Sequence, residues 1–177
     1  DGAEWVQQGK LFFRKEPSKV EIINDMDGEL IVFWRVIQNH LEEFLRYYRF
    51  ALVSRDLFDL ANKMAPETLT DIQRAVRYFY LQKMGFGGKT FKRTFGYGST
   101  SAPRLNLTTL EEVLVEVHWR LKRVTIEHLD ACDCIARYDS KDTLFYLDPP
   151  YWKTAGYAVP FADQDYTSLW QFLDDLK

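Results

Sequence analysis

Apolar positions along the chain change their spacing several times, and each change marks an element. Val20-Glu21-Ile22-Ile23 is a short apolar run ending in Asn24-Asp25, the pattern of a buried strand with an acidic residue at its carboxyl end. From Gly28 to about Phe50, Leu30, Phe33, Trp34, Ile37, Leu41, Phe44, Leu45 and Tyr48 recur at steps of three and four. That period predicts one amphipathic helix, capped by Asp25 or Asp27. Two more helices are expected over residues 55–64, behind Ser54, and 71–84, opening at Thr70 after Pro66.

Glycines then interrupt the pattern. Gly85-Phe86-Gly87-Gly88 and Gly96-Tyr97-Gly98-Ser99 flank a β-prone, basic stretch over 90–95, which predicts a hairpin or ordered loop. Glu111 and Glu112 each follow a threonine, Thr108 and Thr109, by three residues, a doubled capping-box pattern for a helix running to about Leu121. A strand over 124–129, a short helix over 132–138 and a buried strand over 143–147 (Thr-Leu-Phe-Tyr-Leu) follow, with Asp148 at the end of the last. A final helix from about Gln164 to Lys177 puts Leu169, Phe172, Leu173 and Leu176 on one face.

Strands alternating with helices predict an α/β fold, a mostly parallel sheet with helices on both faces. Residues 52–106 break that alternation, so they are expected as a mainly helical lobe carrying the hairpin, inserted into a domain formed by 1–51 and 107–177. With 177 residues, 46% of them hydrophobic, the chain can bury one core. No apolar run approaches the roughly 20 residues of a membrane span, which points to a cytoplasmic protein without a membrane partner. Cys132 and Cys134 are too close for an ordinary disulfide and lack a second pair for zinc, so they read as reduced structural thiols. His40, His118 and His128 show no metal spacing, and no metal is expected.

The net charge of −3 does not itself suggest a nucleic-acid partner, but its distribution does. Between Ile72 and Leu110 there is no acidic residue, whereas Arg74, Arg77, Lys83, Lys89, Lys92, Arg93 and Arg104 are all basic. Aromatic residues interleave with them. Tyr78, Phe79 and Tyr80, on a helix, read as core; Lys89, Lys92, Arg93 and Thr94 have few apolar partners and suit phosphate contact and groove reading.

Candidate chemistry lies at Asp148-Pro149-Pro150-Tyr151. Methylating an exocyclic amine requires its delocalised lone pair to be localised. An aspartate beside a carbonyl fixed by prolines offers two acceptors against the N–H bonds, and a following aromatic ring can stack on an extruded base. This motif after an apolar strand resembles the catalytic motif of amino-methylating DNA methyltransferases. Together with Glu21 to Asp25, Asp27-Gly28-Glu29-Leu30, the stretch from Arg74 to Gly88, and Leu129-Asp130, in matching order, it is similar to the Dam-like (D12) family of adenine-N6 DNA methyltransferases from about Leu11 to Phe161.

The resemblance implies a Rossmann-like methyltransferase sheet with an inserted target-recognition lobe, S-adenosylmethionine as methyl donor, and double-stranded DNA as partner, in a bacterial, phage or mobile-element setting. It implies that Asp25 binds the donor's ribose and Asp130 faces its adenine amine, with Asn24 and Gly9 also in the donor site. Asp148 and the Pro149 carbonyl would bind the target N6 and Tyr151 would stack on the adenine, with Trp152 as pocket wall. Lys89, Lys92, Arg93 and Tyr97 fall in the recognition hairpin, with Arg74 and Arg77 on the helix before it. Plain alternatives stand beside these roles: Asp25 and Asp130 are also placed to cap helices, and Asp148 could belong to a turn.

Two departures from the family pattern bear on activity. The glycine-rich turn expected near the donor is reduced to Gly2 and Gly9 with no apolar strand before them, and the family's flanking segments, an N-terminal one and the strands after the last helix, are expected to be absent. A sheet incomplete in this way would favour association with another copy or another chain. The competing functions are therefore an adenine-N6 DNA methyltransferase, an inactive remnant of that fold that binds DNA, and a methyltransferase for RNA or a small molecule.

Overall fold

The computed structural model of the chain describes residues 10–85, 94–96, 107–149 and 162–174. A short helix, α1 (Lys10–Arg14), precedes β1 (Glu21–Asn24), and four helices follow: α2 (Gly28–Asn39), α3 (Leu41–Tyr48), α4 (Arg55–Lys63) and α5 (Asp71–Met84). Then come α6 (Leu107–Leu121), β2 (Val124–Glu127), α7 (Ala131–Tyr138) and α8 (Asp163–Asp174). β1 and β2 pair in parallel, with Glu21 opposite Val124 and Asn24 opposite Glu127. The architecture is thus helix-rich α/β with a small parallel sheet, compatible with an S-adenosylmethionine methyltransferase fold.

The single helix expected over 28–50 is two helices. His40, at φ −136° and ψ 37°, breaks the chain between α2 and α3. Ile37 and Leu41 flank the break at a four-residue step, and both are buried, so the apolar period runs on through a turn it cannot register. The break is held by side chains. The Gln38 amide donates to the Leu121 and Val124 carbonyls at 2.7 and 2.8 Å, tying the end of α2 to the entry of β2.

The core lies where α2, α3 and α5 meet α6. Phe33 stacks on Phe79 at 5.3 Å, Phe44 on Tyr48 at 5.7 Å, and Phe79 meets Phe44 and Tyr48 edge-on. Each such aromatic contributes roughly 2–3 kcal/mol by burial. Tyr78, Phe79 and Tyr80 are all core residues, and the Tyr80 hydroxyl donates to the Leu52 carbonyl at 2.9 Å. α4 is capped by Ser54, as expected, and α5 by a full Thr70–Gln73 capping box. α6 begins at Leu107, which places Thr108 and Thr109 inside its first turn rather than at its cap.

A second correction concerns the strand expected over 143–147. Among the described residues the segment forms no ladder, and Leu144 and Tyr146 are 93% and 67% exposed. Thr143 and Phe145 are partly buried, so the alternation of a strand is present without a strand neighbour. β-propensity expresses a fit to a pleated surface, and among the described residues only β1 and β2 supply one to each other.

At the other end of the sheet, Glu21 is buried and takes a two-pronged ion pair from Arg120, a second from Lys15 and the Ser18 N–H at 3.0 Å. The Arg120 guanidinium also lies 4.3 Å from the Phe12 ring. The cluster ties α1 and α6 to the start of β1. Arg120 above all, and then Lys15, hold the Glu21 carboxyl down at about 2.

Candidate active site at the strand ends

Parallel pairing brings the carboxyl ends of β1 and β2 side by side, the place where open α/β sheets bind ligands. Asn24, the last residue of β1, fastens them: its amide donates to the Leu129 carbonyl at 3.0 Å, and its Oδ1 accepts from the Leu129 N–H at 2.9 Å. The two loops after the strands are therefore one rigid unit carrying Asp25 and Asp130.

Asp25 accepts from the Asp27 N–H at 2.7 Å, which bends the chain into α2. Asp27, not Asp25, is the helix cap, accepting from the Glu29 and Leu30 N–H groups at 3.0 and 3.4 Å. Burial pushes the Asp25 carboxyl above its ordinary range, only partly offset by the Asp27 N–H and by the charge of the nearby His128. Asp130 is exposed and caps α7, accepting from the Cys132 N–H at 2.8 Å. Glu127 is held beside it by the Tyr138 hydroxyl and by Arg137 at 3.7 Å.

His128, exposed just beyond β2, also lies here. Its Nε2 lies 3.1 Å from the Met26 carbonyl, and its ring sits 3.4 Å from where a Cβ on Gly28 would fall. The imidazole thus lines the turn between Asp25 and α2. Nothing in the sequence distinguishes it except its place just beyond β2. Cys132 and Cys134 are free thiols, and burial raises both, which keeps them protonated.

Asp148 and Pro149 lie exposed at the end of the unpaired 143–147 segment. Among the described residues, no hydrogen bond or ion pair joins Asp148 to the strand-end group. Pro150, Tyr151, Trp152 and Gly9, with Lys89, Lys92, Arg93 and Tyr97, lie outside the described residues.

The family model for D12 class N6 adenine-specific DNA methyltransferases matches residues 9–166. The chain belongs to that family. Among curated proteins, none matches it.

D12 class enzymes methylate adenine in DNA, so the basic residues preceding α6 gain a substrate class. Arg74 and Arg77 do not face outward. Arg74 places Nε and Nη2 on one Glu29 oxygen at 3.1 and 2.5 Å, and Arg77 donates from Nε to the Ala61 carbonyl at 2.7 Å. Beyond them α5 ends at Gly85, whose Cβ would lie 2.8 Å from the Leu81 carbonyl, so no other residue fits without a shift. Gly85 bridges to Phe95 in antiparallel fashion, and the Gly96 N–H donates to the Met84 carbonyl at 2.8 Å. Phe95 and Gly96 thus lie against the end of α5.

No group of three or more potential metal ligands occurs among the described residues. No helix among them is long and apolar enough to cross a membrane.

Proposed function

We propose that the chain transfers a methyl group from S-adenosylmethionine to N6 of an adenine turned out of duplex DNA. The observation that carries this reading is Asp25: a partly buried carboxylate with no salt bridge among the described residues, just past the end of a parallel strand locked to its neighbour. Such an acceptor suits the two hydroxyls of a ribose, and Asp130, across the Asn24 clamp, suits an exocyclic amine. These residues fit the donor. Bound there, it supplies an electrophilic methyl group carried on a sulfonium.

Asp148 and the Pro149 carbonyl accept the two N6–H bonds of the target, so that the nitrogen lone pair is no longer shared with the ring. Asp148 holds the proton that N6 gives up. Tyr151 stacks on the extruded base. In this reading, residues 52–106 form the recognition lobe between the two parts of the catalytic domain, and Lys89, Lys92, Arg93 and Tyr97 meet the DNA. In a bacterial or phage setting the reaction would take place in the cytoplasm.

The exposed, unpaired setting of 143–148 favours one second reading, a DNA-binding member of the family with little methyl transfer. Incubation with labelled donor and mixed-sequence duplex DNA separates the two. The first predicts N6-methyladenine, lost in Asp148→Ala; the second predicts DNA binding without product.

A further inference from the structure

We propose that Glu29 is a positioning residue for DNA recognition: by holding Arg74 and Arg77 inward, it sets the place of the hairpin base instead of leaving these arginines to touch phosphates. The inference rests on the reading of Lys89, Lys92 and Arg93 as DNA contacts, and it reassigns the two arginines that precede them.

Glu29 stands in the first turn of α2, two residues after the Asp27 cap and four after Asp25. An acidic side chain there is favoured by the helix dipole. Its Oε1 takes both donors of Arg74, and its Oε2, buried and without a hydrogen bond, lies 3.9 Å from Arg77 Nη1. Arg74 also reaches Asp71 at 3.6 Å. Arg77, whose side chain is 12% exposed, reaches the Ala61 carbonyl near the end of α4. One carboxylate therefore joins α2 to α5, and through Arg77 to α4.

Among the described residues, α4 and α5 both contact the Gly85–Phe95 bridge, and residues 86–93 run between its two partners. α5 runs into the Gly85–Phe95 bridge, and Phe95 packs edge-on against Phe58 of α4 at 5.5 Å, with the Arg55 guanidinium 4.8 Å from its ring. Without the Glu29 charge, two guanidinium groups would confront each other beside the positive end of α2, and α5 with its hairpin base would shift away.

The test is the binding of a fluorescent duplex to the full chain from about 50 to 300 mM salt, with folding followed by circular dichroism. Glu29→Gln and Arg74→Gln are each expected to weaken binding about tenfold while leaving the slope of log affinity against log salt unchanged. Lys92→Gln is expected to reduce that slope by about one. Glu29→Asp keeps the charge and is expected to bind within about threefold of the parent. Glu29→Gln binding as well as or better than the parent, or Arg74→Gln reducing the slope by about one, would overturn the inference, since the arginines would then be phosphate contacts. A folded parent chain that binds no duplex overturns the functional reading, and this inference with it.

Discussion

Two stretches of this chain have similar sequence character and different fates. β1 and the 143–147 segment are both short, both carry apolar side chains, and each is followed directly by an aspartate. β1 is paired along its length, and Asp25 at its end is partly buried and hydrogen-bonded. The 143–147 segment has no strand partner among the described residues, and Asp148 just past it is exposed. A strand end becomes a site only when the strand is held, because pairing fixes where the carboxylate points and burial sets what it will accept. By this measure the strand-end group around Asp25 is built, whereas the adenine side of the proposed site is defined by its motif.

The largest effect that would sharpen the contrast is catalytic. Asp148→Ala should lower methyl transfer at least about 100-fold by removing one acceptor for N6, with donor affinity unchanged. A fall in donor affinity of the same size would mean that the two aspartates act as one unit.

Acid should separate the ends of β1 itself. Glu21 has a folded pKa of about 2 against an ordinary 4.5, so its stabilisation is complete above about pH 5 and is lost as pH falls from there towards 2. The loss is on the order of 3 kcal/mol, seen by chemical denaturation at stepped pH and absent in Glu21→Gln. Asp25 shifts the other way. Its raised pKa means that lowering the pH protonates it earlier than an ordinary aspartate, and donor binding should weaken at a correspondingly higher pH.

A smaller pair of substitutions tests whether the 143–147 segment really lacks strand burial. Val124→Ala, in the buried start of β2, should cost about 2 kcal/mol, and Leu144→Ala less than about 0.5 kcal/mol. Equal costs in denaturant titrations would erase the contrast and place Leu144 in a packed strand.

Local signals in the sequence predicted most of the helical scaffold and both paired strands. Ser54 and Thr70 announce helix starts because the capping group lies in the segment it caps, and the three-and-four period of α2 reports the face it buries. The break at His40 escaped that logic, since Gln38 fastens it to residues more than 80 positions away. The same distance hid the strand-end geometry. Asn24 reads as part of the donor site, yet its side chain is fastened to Leu129, and Arg74 and Arg77 read as DNA contacts, yet the fold brings Glu29 against them. Asp25 was legible as a strand-end carboxylate; its burial required the fold. Propensity alone overstated the 143–147 segment, because a strand needs a neighbour as well as the right residues.

The most direct test is a calorimetric titration of the folded chain with S-adenosylmethionine, beside Asp25→Asn. The account predicts micromolar binding to the parent and loss of at least about tenfold in the variant, since an amide accepts only one of the two ribose hydroxyls well. No binding by a folded parent, or binding that Asp25→Asn leaves unchanged, would contradict a donor site at the strand ends.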